Sequence, residues 1–312
     1  MNPIRHVLAA TDLSAPARHA ADRAAALAHS LGATLDLVHV AQAPPLERLR
    51  RLVGELPEDL AQRWLADSEA GLHALATALA QRHRLAPGVH VARGALLGEI
   101  ARVADATSAD LIVLGARGSS FVRHYVLGST AERLVSTCTR PMLVVRQIAH
   151  APYQSILVPV DFSAASAASV RCAAAMAPEA RLRLLHAFEA PFEGKLRTAG
   201  VRERLLRDYR KRAEDEAREQ MAALGADVGL DRTKDETLIV HGRAVARILE
   251  QEQEDDCDLI VVGARGDSRI EAFFLGSVTR RVLADSQADV LVVPARSEAS
   301  AQQPGSAPAG AR

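Results

Sequence analysis

After the apolar run 110–114 the chain reads Gly115-x2-Gly118-x9-Gly128-Ser129, and after 258–262 it reads Gly263-x2-Gly266-x9-Gly276-Ser277. This spacing suits an anion. A glycine at the carboxyl end of a strand can take φ > 0 and lets backbone amides close on a charged group. A Gly-Ser pair that opens a helix presents free N–H groups and the positive end of the dipole, which favour phosphate. Ser129 also starts a capping box, Ser129-x-x-Glu132, whereas the matching second position is Arg280. Phosphate oxygens can add to such capping bonds or replace them. Arg117 and Arg265 lie between the first two glycines of each pattern and can pair with phosphate.

Other residue types carry competing readings. Asp12 and Asp161 each follow an apolar run, and an Asp at such a strand–helix turn commonly caps the next helix. His39 and His186 could join them in a metal site, but a histidine at a strand end is more often structural. Cys138, Cys172 and Cys257 are far apart, so there is no CxxC redox pair or zinc knuckle. Such a sparse, odd set suits a reducing compartment, and Cys172 reads as core because it sits in an apolar helical stripe. No Walker A lysine follows a strand, and no GxGxxG lies in the phosphate loop. Only Asp267 and Glu271 suggest a metal-activated water.

The elements that must hold these residues occur twice. DLIVLGARG at 110–118 answers to DLIVVGARG at 258–266, an offset of 148. Asp12 and Asp161 stand 149 apart, His39 and His186 stand 147 apart, and Leu143-Val144-Val145 answers to Leu291-Val292-Val293. A period this long means two complete domains rather than a solenoid. The expected domains are 1–148 and 152–296, with a Pro/Gly-rich disordered tail at 297–312. In the first half the patterns predict strands at 5–10, 34–40, 88–93, 110–114 and 142–146. Helices are predicted at 15–31, about 56–84, 97–106 and 129–138. Gly94 and Gly242 precede helices and serve turns. Alternation of apolar strands and helices implies an α/β fold, a doubly wound parallel sheet in each half. The Arg-rich stretch 202–218 interleaves both signs of charge and reads as a solvated helix face.

Composition excludes several classes. The 38 basic and 38 acidic residues cancel, so no long-range positive field would gather nucleic acid. Aromatics at 3% leave little for base stacking. No apolar run is long enough for a signal peptide or a membrane span, so a cytoplasmic location is expected.

The doubled G-x2-G-x9-G-[S/T] pattern, each copy after an apolar strand and before a helix, resembles the ATP-binding signature of the universal stress protein family in its tandem two-domain form. The resemblance covers nearly the entire chain except linker and tail. It implies two five-stranded parallel sheets in the order 3-2-1-4-5, with the nucleotide where strands 1 and 4 diverge. It implies that Asp12 and Asp161 contact adenine together with the backbone at Thr11 and Val160, and that Val40 and Ala187 line that pocket. Ribose and phosphates would fall to Gly115, Arg117, Gly118, Gly128, Ser129 and Thr130, and to Gly263, Arg265, Gly266, Gly276, Ser277 and Val278. The implied cofactor is ATP, with or without Mg²⁺. The implied function is a stress-response module that uses nucleotide occupancy to bias its interactions. A slow ATPase or autophosphorylating enzyme and a nucleotide-free interaction protein are the alternatives.

Two departures matter. Asp267 and Glu271 place acids in the second loop, where the first carries Arg123 and His124. Opposed charges of this kind predict tighter ATP binding by the first half. The runs 142–146 and 289–293 are apolar edges that seek partners, so the halves are expected to pack edge against edge as a pseudo-twofold pair, leaving a further homodimer open.

Overall fold

A computed structural model of the chain describes residues 3–41, 59–116, 133–135, 139–189, 198–199, 201–231, 233–264 and 275–294. The first half runs β1 (His6–Ala10), α1 (Ala15–Leu31), β2 (Thr34–Ala41), α2 (Leu60–His83), β3 (Gly88–Arg93), α3 (Leu96–Ala106), β4 (Leu111–Gly115) and β5 (Met142–Val145). The second runs β6 (Ser155–Pro159), α4 (Ala164–Met176), β7 (Arg181–Phe188), α5 (Glu203–Val228), β8 (Glu236–His241), α6 (Ala244–Glu254), β9 (Leu259–Gly263), α7 (Ser277–Asp285) and β10 (Asp289–Val293). Most predicted elements recur with shifts of one or two residues. Of the helix predicted at 129–138, only 133–135 is described, and it is helical.

Local signals explain the limits of α1. Ser14 caps its first turn, and Gly32 closes it in the left-handed region at φ 62. Short strands such as LIVLG and MLVV are buried along their length because helices cover both sheet faces. One face packs under α1, α2, α4 and α5 through residues such as Ala24, Leu72, Val170 and Met221. The other packs under α3, α6 and α7 through Ile100, Ile248 and Val282.

The strands form one sheet of ten in the order β3-β2-β1-β4-β5-β10-β9-β6-β7-β8. Each half therefore has the 3-2-1-4-5 order. The two expected sheets are not separate, however, because β5 and β10 pair antiparallel at the centre, with Leu291 opposite Leu143. Pairing these apolar edges removes two templates for aggregation, and both leucines are fully buried. Both core clusters cross this seam without a break.

Candidate functional site

The site is assembled where β1 turns out of the sheet beside β4, and again where β6 turns out beside β9. Beyond Ala10 the backbone continues in register, with Thr11 N donating to Val38 O at 3.0 Å. In the second half Val160 N donates to Leu185 O at 2.8 Å. The histidine of the neighbouring strand then fixes the same residue from its other side. His39 Nδ1 donates to the Thr11 carbonyl at 2.9 Å, and His186 Nδ1 donates to the Val160 carbonyl at 2.8 Å. Each histidine thereby serves as a main-chain brace, and among the described residues no group of three or more His, Cys, Asp or Glu gathers to hold a metal.

The next residue is the exposed acid, Asp12 or Asp161. Neither is the helix cap. Ser14 and Ser163 are, accepting from Ala17 N and Ser166 N. The acid holds the cap: Asp12 Oδ1 accepts from the N–H and hydroxyl of Ser14, and Asp161 Oδ1 does the same for Ser163. Between acid and serine, Leu13 and Phe162 stand at φ 65 and φ 63. Bulky residues rarely adopt this left-handed conformation, and such strain gathers at ligand sites. Sequence reasoning missed this pair, since neither residue type signals it. The Asp-x-Ser spacing was a readable signal for the cap.

The halves differ here. Ser166 in α4 donates its hydroxyl to Asp161 Oδ1 at 2.6 Å and accepts from Asp161 N at 2.9 Å. Ala17 holds the corresponding place in α1. Pairing of β1 with β4 continues to Ala10–Leu114, while pairing of β6 with β9 ends at Leu157–Ile260. Pro159, standing where the first half has Ala10, has no N–H to extend that ladder. Val40 and Ala187 lie one residue past the bracing histidines, on the α3 and α6 face of the sheet.

Across the cleft, Gly115 and Gly263 end β4 and β9. The left-handed freedom expected of a glycine at a strand's carboxyl end is not used at Gly115 or Gly263. Gly276 has φ −57, and the glycines with positive φ among the described residues are Gly32, Gly94, Gly229 and Gly242. Of these, Gly94 and Gly242 are turn positions that precede α3 and α6. What Gly115, Gly263 and Gly276 supply is the lack of a side chain. Gly276 N donates to Ala264 O at 2.9 Å, which draws the ends of the second loop together. Thr279 Oγ1 donates to Gly263 O at 2.7 Å and ties α7 to the strand end. Among the described residues no side chain caps α7, and Ser277 and Val278 present first-turn amides at its amino end. Arg117, Gly118, Arg123, His124, Gly128, Ser129, Thr130, Arg265, Gly266, Asp267 and Glu271 lie outside the described residues.

The comparisons with known proteins accord with this construction. The family model "Universal stress protein family" matches residues 3–146 and 152–294. A universal stress protein of Thermus aquaticus is 35% identical over 143 residues, spanning 45% of this chain and 98% of its own. One from Mycobacterium bovis is 31% identical over 193 residues, 58% of each chain. Among solved structures, a universal stress protein from Archaeoglobus fulgidus matches with TM-score 0.62 at 18% identity, covering 93% of this chain and 98% of that one. The chain belongs to the universal stress protein family and carries two of its domains in tandem.

Proposed function

We propose that the chain is a stress-response module that binds ATP at the two switch points, one in each half, and uses occupancy to bias its interactions. The observation that carries this reading is the repeated turn after β1 and β6. In both, a histidine-braced carbonyl, an exposed acid and a strained left-handed residue stand beside a glycine strand end. Open α/β sheets bind ligands at this place.

In this reading Asp12 and Asp161 accept from the adenine amino group. The backbone at Thr11 and Val160 meets the ring edge, and Val40 and Ala187 flank the ring. Gly115, Arg117, Gly118, Gly128, Ser129 and Thr130 hold the ribose and phosphates of one ATP. Gly263, Arg265, Gly266, Gly276, Ser277 and Val278 hold those of the other. The first-turn amides of α7, uncapped by any side chain among the described residues, fit an anion. Mg²⁺, where bound, would screen the phosphate charge. The domains are taken as 1–148 and 152–296, the tail as 297–312, and the location as the cytoplasm.

Calorimetric titration of ATP into the full chain tests this. Gly118→Val with Gly266→Val should abolish binding, because each Cβ and its methyls would occupy the path of the phosphates. Unaltered binding by the double variant would remove the assignment. Turnover above that variant's background would mark the chain as a slow ATPase instead.

A further inference from the structure

A buried polar group joins the halves, and its parts are distributed unequally between them. Asp289, at the start of β10, is completely buried. Its Oδ1 accepts the main-chain N–H groups of Arg146 at 2.6 Å and Gln147 at 3.0 Å, just past β5. Its Oδ2 accepts the Tyr153 hydroxyl at 2.6 Å. Arg23 Nε on α1 lies 3.4 Å from Oδ2, close enough for charge pairing though without hydrogen-bond geometry. Arg23 Nη1 donates to the Ala151 carbonyl at 2.7 Å, and its guanidinium sits 4.3 Å above the Tyr153 ring.

The pseudo-twofold axis passes between Leu143 and Leu291, since Val290 faces Val144 and Val292 faces Met142. The rotation carries Asp289 onto Pro141 and Arg146 onto Pro294. It carries Arg23 onto Cys172, matching the caps Ser14 and Ser163, and Tyr153 onto Ile4. Suppose two second halves, from separate chains, paired through β10. Asp289 would meet Pro294, which has no N–H, and Cys172 in place of the arginine. Suppose instead two first halves paired through β5. The Arg146 N–H would face Pro141, and Arg23 would be buried without a carboxylate. A buried charge without its partner is strongly unfavourable. Only the unlike pair gives the buried carboxylate both its main-chain donors and its arginine.

We propose that Asp289, with Arg23 and Tyr153, is a pairing-specificity device that selects a first half as the neighbour of a second half and rejects association of two copies through like halves. The seam between β5 and β10 is thereby reserved for a first half paired with a second half.

The test uses the full chain with a flexible insertion after the exposed Ile148, which lowers the advantage of intrachain pairing. Leu143→Cys serves as reporter, because a like-half β5 seam sets two such cysteines opposite each other, whereas the native seam sets one opposite Leu291. This chain and its Arg23→Met/Tyr153→Phe/Asp289→Val variant are refolded at low and high concentration and sized by light scattering. The parent should refold to one mass with background crosslinking only. The variant should yield disulfide-linked dimers at high concentration, several-fold above the parent. Equal crosslinking in the two chains overturns the proposal. If the triple variant does not refold, Tyr153→Phe with Asp289→Asn is put through the same comparison and read the same way.

Discussion

Replacing Asp289 by Asn changes little in shape and removes one buried charge. At 3.4 Å, Arg23 Nε and Asp289 Oδ2 attract by about 5 kcal/mol at an effective dielectric of ~20. The Tyr153 hydroxyl bond to a charged acceptor adds about 1.5–3 kcal/mol. Against this stands the recovered cost of desolvating the carboxylate. Arg23 keeps the Ala151 carbonyl and the Tyr153 ring but stays buried without an anion. The net expectation for Asp289→Asn is a loss of about 3–5 kcal/mol. Urea unfolding at pH 7 would show it as a lower midpoint at an unchanged slope. Adding Arg23→Met to the same chain should return much of the loss, since no unpaired charge then remains. A cost below about 1 kcal/mol, or strict additivity of the two changes, would refute the reasoning.

Burial pushes the Cys172 thiol from 9.0 up to about 12, and burial followed by the neighbouring Asp289 raises the Tyr153 hydroxyl above 10.0. The folded state therefore keeps protons that the unfolded chain loses, so stability is full below pH 9 and falls as pH rises toward 12. Cys172 accounts for about 4 kcal/mol of that fall at most, and Cys172→Ala should flatten the slope in urea titrations above pH 9. Gly88→Ala would set a Cβ 1.8 Å from Asp36 Oδ1 and displace the carboxylate that His6 and His90 share. A drop of about 1–3 kcal/mol is expected. Gly98→Ala, exposed in α3 with nothing nearby, should gain about 0.5–1 kcal/mol in the same melts. Ser14→Ala and Ser163→Ala should each cost about 1 kcal/mol of stability with ATP affinity little changed, whereas Asp12→Ala and Asp161→Ala should cost both. Calorimetry on these four chains separates capping from base recognition.

The class of the fold was legible because parallel strands buried on both faces read as unbroken apolar runs, and because the chain states its pattern twice. The seam was legible for a related reason: MLVV and DVLVV are too apolar to remain open edges. What binds the seam was not. Asp289 reaches Arg146 and Tyr153 across more than 130 residues, and no local pattern announces such a contact. At the site, the acids were legible as chemistry, but their grip on the cap serines was not read. The strand-end glycines Gly115 and Gly263 were assigned the left-handed backbone that Leu13 and Phe162 carry instead. Those two residues stand between the cap serine on one side and the histidine-braced carbonyl on the other, a setting that side-chain type does not encode.

The duplication also separates what the fold requires from what the site requires. At the amino edge of the first half, Asp36 lies between His6 and His90. The same place in the second half holds Arg183, between Glu236 and Asp255. The registers agree, Asp36 facing Gly88 and Arg183 facing Glu236. The edge is polar in both halves, but its sign is reversed. A structural plug tolerates that reversal, since either arrangement satisfies its own charges. A binding site could not, because its ligand would change sign too. At the carboxyl edge the turn itself keeps its signs, although the loops beyond it carry Arg123 and His124 in one half and Asp267 and Glu271 in the other: Asp12 and Asp161, Ser14 and Ser163, and His39 and His186 keep both type and contact, and Gly115 and Gly263 both end their strands. Packing alone would have allowed the carboxyl edge to drift as the amino edge did. The constancy of the turn supports the proposed reading, in which the two halves hold a common ligand there.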